Sequence, residues 1–166
     1  MIKHKVFISY YHQDDQLYKN YIDKYLSNNI INKSVVSGEY NSDNSDQYIK
    51  RLIREDKVSD SSVVVVLVGP NTWKRKHVDW EISAGLNAGV NGNSGLIGIV
   101  LPTFTNITAA YPARLYDNLV SGYAKLYDWN YAINHFEEII EQAYQNRVFL
   151  KGKVNNSRIQ MQHNYI

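Results

Sequence analysis

The chain has 166 residues, is 44% apolar, carries a formal net charge of +2 and contains no cysteine. That length supports one core and one domain, and the absent cysteine excludes disulfides, thiolate metal sites and cysteine nucleophiles. The balanced charge does not by itself argue for nucleic acid, whose binders normally show a clustered basic face, and the longest strongly apolar run, residues 63–68, is far shorter than the roughly 20 residues that cross a bilayer.

The opening Met1-Ile2-Lys3-His4-Lys5 leads directly into a strand-like run and not into a signal peptide's apolar core, so a cytoplasmic protein is expected. Residues 6–10 form that first strand. His12-Gln13-Asp14-Asp15 follows with capping residues. Tyr18, Tyr21, Ile22 and Tyr25 then recur at helical spacing and predict the first helix. A short second strand is expected at residues 34–37, around Val35 and Val36. Residues 38–45 read as a polar loop anchored only by Tyr40.

A second helix is expected from Asp46, with Ile49, Leu52 and Ile53 facing inward. Residues 62–68 are the clearest strand: five of seven are valine and polarity does not alternate, so both faces should be covered. Gly69-Pro70 ends it. A third helix is expected from Thr72 to about Val90, a buried strand over residues 95–101, and an irregular connection over 103–122. A last strand is expected at 123–129. A final helix over 131–147 is carried by Ile133, Phe136, Ile140, Ala143 and Tyr144. Strands alternating with helices in this way predict a parallel sheet covered on both faces. Residues 1–150 form the domain. Residues 151–166 are polar and weakly patterned and read as a C-terminal tail that packs on the body or on a partner.

Three stretches carry a resemblance. Lys5-Val6-Phe7-Ile8-Ser9-Tyr10-Tyr11-His12-Gln13-Asp14 resembles the opening of a TIR domain. The glycine-closed strand at Val63-Val64-Val65-Val66-Leu67-Val68-Gly69, followed by Val78-Asp79-Trp80-Glu81-Ile82, is similar to the TIR-like family of the Thoeris anti-phage systems. Pro112-Ala113-Arg114-Leu115-Tyr116-Asp117-Asn118 sits where that family often has a third motif. The resemblance implies a flavodoxin-like α/β TIR fold, with a central, mostly parallel sheet of five strands and helices on both faces. It also implies consumption of NAD+ as substrate, with no resident cofactor. Hydrolysis or cyclisation would give an ADP-ribose-type signal that activates a separate effector. A phage-derived trigger and self-association on activation are implied as well, and the loop at residues 38–45 would order over the site.

The resemblance makes Glu81 the catalytic carboxylate. Cleavage of the nicotinamide–ribose bond passes through an oxocarbenium-like cation, which a carboxylate stabilises. Periodicity alone reads Glu81 as a solvated helix residue, at the rim of a helix whose Val78, Ile82 and Leu86 face the sheet. Trp73, His77 and Glu81 are four residues apart and form one stripe. Where the family's helix often carries an aromatic one turn before the glutamate, this chain has His77, with Trp73 two turns before and Trp80 adjacent. Both His77 and Trp73 are candidate substrate contacts, and Trp80 reads as packing. Ligands of such sheets sit beyond the carboxyl ends of the strands, which adds Phe7, Ser9, Tyr10 and Asp14. Phe7 also reads as core and Asp14 as a helix N-cap. Lys74-Arg75-Lys76 reads as a solvated basic turn or an attractor of pyrophosphate. The five histidines show no metal-ligand spacing, so no metal is expected. Two other functions compete: a non-enzymatic TIR scaffold, and a nucleoside deoxyribosyltransferase-like N-glycosidase.

Overall fold

The computed structural model describes residues 3–33, 45–53, 58, 60–87, 92–105 and 109–166. Five strands, β1 (His4–Ser9), β2 (Ile30–Lys33), β3 (Val63–Val68), β4 (Gly95–Val100) and β5 (Lys125–Asp128), form one sheet in the order β2-β1-β3-β4-β5. Every neighbouring pair is parallel. This is the flavodoxin-like order, which changes direction between β1 and β3.

Helices α1 (His12–Tyr25), α5 (Trp129–Asn134) and α6 (Phe136–Phe149) cover one face. Helices α2 (Asp46–Leu52), α3 (Lys76–Leu86) and α4 (Ala113–Ser121) cover the other. The pleat divides the valine run between them. Val63, Val65 and Leu67 join the first core with Ile22, Phe136 and Ile140, and Val64, Val66 and Val68 join the second with Ile49, Ile82 and Leu115. All six residues of β3 are buried, as its lack of alternation predicts.

Several boundaries differ from the sequence reading. The edge strand occupies Ile30–Lys33, running on from a short 3-10 turn at Ser27–Asn29; residues 34–37 and 38–44 lie outside the described residues. The inner stripe of α1 is Asp15, Lys19 and Ile22, whereas Tyr21 and Tyr25 face solvent. The connection at 103–122 contains α4, which starts behind Pro112 and stops at Gly122, whose positive φ of 87° suits glycine. The final helix is two, because His135 leaves helical geometry between α5 and α6. Asp128 caps α5, accepting the Tyr131 N–H at 2.6 Å. Residues 151–166 lie along α3 and α4 and hydrogen-bond to both.

Candidate functional site

The site lies at the change of direction in the sheet. The chain leaves the carboxyl end of β1 through Tyr10 and Tyr11 into α1, on one face. It leaves β3 through Gly69 towards α3, on the other. In sheets of this kind, ligands sit in the crevice that two such departures form outside the strand ends.

Glu81 projects from α3 towards β1 and is only 4% exposed. The Ser9 hydroxyl, from the last residue of β1, donates to Glu81 Oε1 at 2.8 Å, and both groups are buried. This joins two residues 72 positions apart from two of the three resembling stretches. Tyr10 follows Ser9; its hydroxyl donates to Gln16 Oε1 at 3.0 Å and its ring stacks on His12 at 4.2 Å. Burial chiefly raises the Tyr10 pKa, against the pull of the Gln16 hydrogen bond, and the charges of Asp23 and Glu81 add to the rise. Tyr10 therefore remains a neutral phenol throughout the physiological range.

His77 sits one turn before Glu81 on α3. Burial first, then the neighbouring Lys76 and Arg75 cations, push its pKa down to about 4, so its imidazole is neutral at pH 7. Arg75 lies 4.5 Å from the centre of the Tyr11 ring. Beyond the strand ends, then, stand a buried carboxylate with its hydroxyl donor, a neutral imidazole, aromatic rings and a guanidinium. Such a set can hold a ribose-bearing, phosphate-bearing ligand and stabilise positive charge that develops beside Glu81.

The remaining candidates have other neighbours. Phe7 is fully buried in the core beneath α3, because its position on β1 alternates with that of Ile8 and points it to the α3 face. Asp14 is not a cap. It lies inside α1, whose N-cap is Tyr11, and accepts from Asn71 Nδ2 at 2.8 Å, tying the loop after β3 to α1. Trp73 does not share a helix with His77. It belongs to a 3-10 turn, Thr72–Lys74, and extended geometry at Arg75 separates it from α3. Its ring packs on Tyr165 at 5.5 Å beside a cavity of about 530 Å³ bounded by Tyr111, Arg158 and Met161. Trp80 is packing, as expected: it is buried, and its indole N–H donates to the Met161 carbonyl at 2.8 Å. Of the basic turn, Lys76 pairs with Asp46 at 3.0 Å and Lys74 lies over Trp73.

Two features were missed by the sequence reading. Asp15, 1% exposed, lies against Gly69 at the crevice. Its spacing of four and seven from Lys19 and Ile22 was the available signal. Arg114, fully buried, donates to Asp79 through Nε at 2.8 Å and Nη2 at 3.3 Å. The third resembling stretch is thus architectural. Arg114 holds α3, Asp117 accepts from Arg158, and Asn118 bonds the backbone of Asn155.

Among the described residues, no three histidine, aspartate or glutamate side chains group as a metal site, and no helix is long and apolar enough to cross a membrane. The family model of the TIR-like domain of the Thoeris protein ThsB matches residues 7–106. No curated protein matches the chain.

Proposed function

The chain belongs to the TIR-like domain family of the Thoeris protein ThsB, and from that premise we propose that it consumes NAD+ at the crevice between β1 and β3. The observation that carries this reading is Glu81, a buried carboxylate held by the Ser9 hydroxyl at 2.8 Å beyond the end of a parallel strand.

In the proposed reaction the bond between ribose C1′ and the nicotinamide nitrogen breaks, and its electron pair leaves with nicotinamide. The pyridinium nitrogen becomes neutral, so no general acid is needed. The ribosyl group becomes an oxocarbenium-like cation, and Glu81 stabilises it electrostatically while accepting hydrogen bonds from ribose hydroxyls. Ser9 fixes the carboxylate. The neutral His77 ring stands beside nicotinamide without adding a repelling charge. Capture of the cation by water gives ADP-ribose and a proton; capture by a nucleophile of the same nucleotide gives a cyclic product. The product then acts as a signal to a separate effector in anti-phage defence, with a phage-derived trigger and self-association switching the protein on.

The test is nicotinamide release from NAD+ by the purified chain, alone and with lysate of phage-infected cells. The wild type should release it under at least one condition. Glu81→Gln keeps the shape, removes the charge and should be inactive with an unchanged urea midpoint. A wild type silent in both conditions supports the scaffold reading, and turnover of deoxynucleosides in place of NAD+ supports the N-glycosidase one.

A further inference from the structure

We propose that the C-terminal strap, through Asn164 and the Met161 backbone, is the missing N-terminal cap and clamp of α3 and a positioning element for Glu81. The positioning role rests on the reading of Glu81 as the catalytic carboxylate; the capping role does not.

A helix leaves its first N–H groups without partners inside the helix, and a side chain just before it normally supplies one. Helix α3 has no such residue. Its N-cap position is Arg75, which makes no side-chain capping bond, and Lys74, Arg75 and Lys76 place cations where the helix dipole opposes them. The acceptor comes from the far end of the chain instead. Asn164 Oδ1 accepts the Lys76 N–H at 2.8 Å, and the Tyr165 N–H donates to the Lys74 carbonyl at 2.9 Å. Together these close both sides of the break at Arg75.

The strap then follows one face of the helix. The Met161 N–H donates to Asp79 Oδ2 at 2.8 Å, and the Met161 carbonyl accepts from the Trp80 indole at 2.8 Å. Asn156 Nδ2 donates to the Ser83 carbonyl at 3.1 Å and Gln160 Nε2 to the Ser83 hydroxyl at 3.2 Å. Residues 76, 79, 80 and 83 form one stripe, and Glu81 lies about 150° around the helix from its centre at 100° per residue. The strap therefore grips the side of α3 turned away from the site. Rotation or fraying of α3 would move Glu81 relative to Ser9, and the strap resists both. The strap lies beyond the matched residues 7–106, so this support comes from outside the part of the chain that carries the family signal.

The test uses the full-length chain with Asn164→Ala and Asn164→Asp. Asn164 is exposed and its loss leaves the core intact. In Asn164→Ala the amides of Lys76, His77 and Val78 should exchange about fivefold faster, the factor expected for a lost cap. The Glu81 carboxyl carbon, followed by NMR and assigned with Glu81→Gln, should shift. Turnover of NAD+ should fall severalfold with KM within twofold. Asn164→Asp, an equally good acceptor that also suits the dipole, should restore all three. Unchanged exchange in Asn164→Ala overturns the cap. Faster exchange with an unmoved Glu81 resonance overturns the positioning. A wild type that releases no nicotinamide refutes the proposed function alone, because exchange and the carboxyl resonance still decide the role of the strap.

Discussion

Replacing Asp15 with asparagine should turn a pH-dependent weakness of the fold into a constant one. Asp15 lies on the inner face of α1 with its carboxylate against Gly69, so close that a Cβ there would meet Oδ2 at 2.6 Å. Among the described residues neither oxygen meets a donor in good hydrogen-bonding geometry. The neighbouring Thr72 hydroxyl is directed at the Leu67 carbonyl. Burial first, then the charge of Asp14, push the carboxyl from 3.8 up to about 6, against a weaker downward pull from the nearby Thr72 hydroxyl. The sign follows from which state binds the proton more tightly. Between pH 4 and 6 the folded protein holds a proton that the unfolded chain has released, so stability falls as pH rises through that window. A shift from 3.8 to about 6 corresponds to about 3 kcal/mol lost by pH 7.5. Asparagine keeps the shape without the charge, but buries an amide with no partner, at a cost of about 1 kcal/mol at every pH. Asp15→Asn should therefore be about 0.5 kcal/mol less stable than wild type at pH 4 and about 2 kcal/mol more stable at pH 7.5. Urea unfolding with linear extrapolation at four pH values measures the gap directly. His77 supplies an internal check. Its pKa is lowered to about 4, so its contribution is complete above about pH 6.5 and is lost as pH falls through 4. In wild type the two trends oppose each other, and in Asp15→Asn the loss on acidification should stand out. A gap between variant and wild type that stays constant from pH 4 to 7.5 would refute the argument, because it would mean that Asp15 is not buried as a destabilised anion.

Two further outcomes are expected. Ser9→Ala removes a donor that holds Glu81; nicotinamide release should fall about tenfold or more, and urea unfolding should show a loss of about 1–3 kcal/mol, as expected for a buried hydrogen bond to a charged group. Arg114→Ala leaves the Asp79 carboxylate buried beside an empty space, which should cost about 3–5 kcal/mol by urea unfolding and loosen the strap through the lost Asn156 contact.

The parallel sheet was legible because β3 announces itself. Six adjacent apolar residues without alternation, five of them valine and closed by Gly69-Pro70, fit a strand covered on both faces. The opening stretch likewise placed Ser9 at a strand end, where a ligand crevice forms. The described edge strand at Ile30–Lys33 was not anticipated, because Ile30 and Ile31 make no better a short apolar pair than Val35 and Val36, which lie outside the described residues, and a strand of four residues carries too little pattern to stand out. Helix α4 was missed although Pro112 and Gly122 bracket it, since Leu115 and Leu119 alone make a thin apolar stripe. Asp15 was overlooked for a different reason: acidic residues in a first helical turn usually face water, where they favour the dipole.

The site helix shows most clearly where periodicity stops being informative. An amphipathic pattern exists only when one side of a helix meets solvent. In α3 every residue from Val78 to Ser83 is buried, because the sheet covers one side and the C-terminal strap the other. Asp79, Trp80 and Glu81 are adjacent in sequence but turn 100° apart, and their surroundings differ. Asp79 binds Arg114 and the strap backbone, Trp80 fills the core and donates to the same strap backbone, and Glu81 reaches Ser9. A stripe drawn from Trp73 through His77 to Glu81 assumed a continuous helix with a solvent side, and the chain has neither. What separates Glu81 from its neighbours is the end of β1 opposite it. That distinction belongs to the folded sheet, so before the structure only the family resemblance of two distant stretches, one containing Ser9 and one carrying Glu81, pointed to these residues.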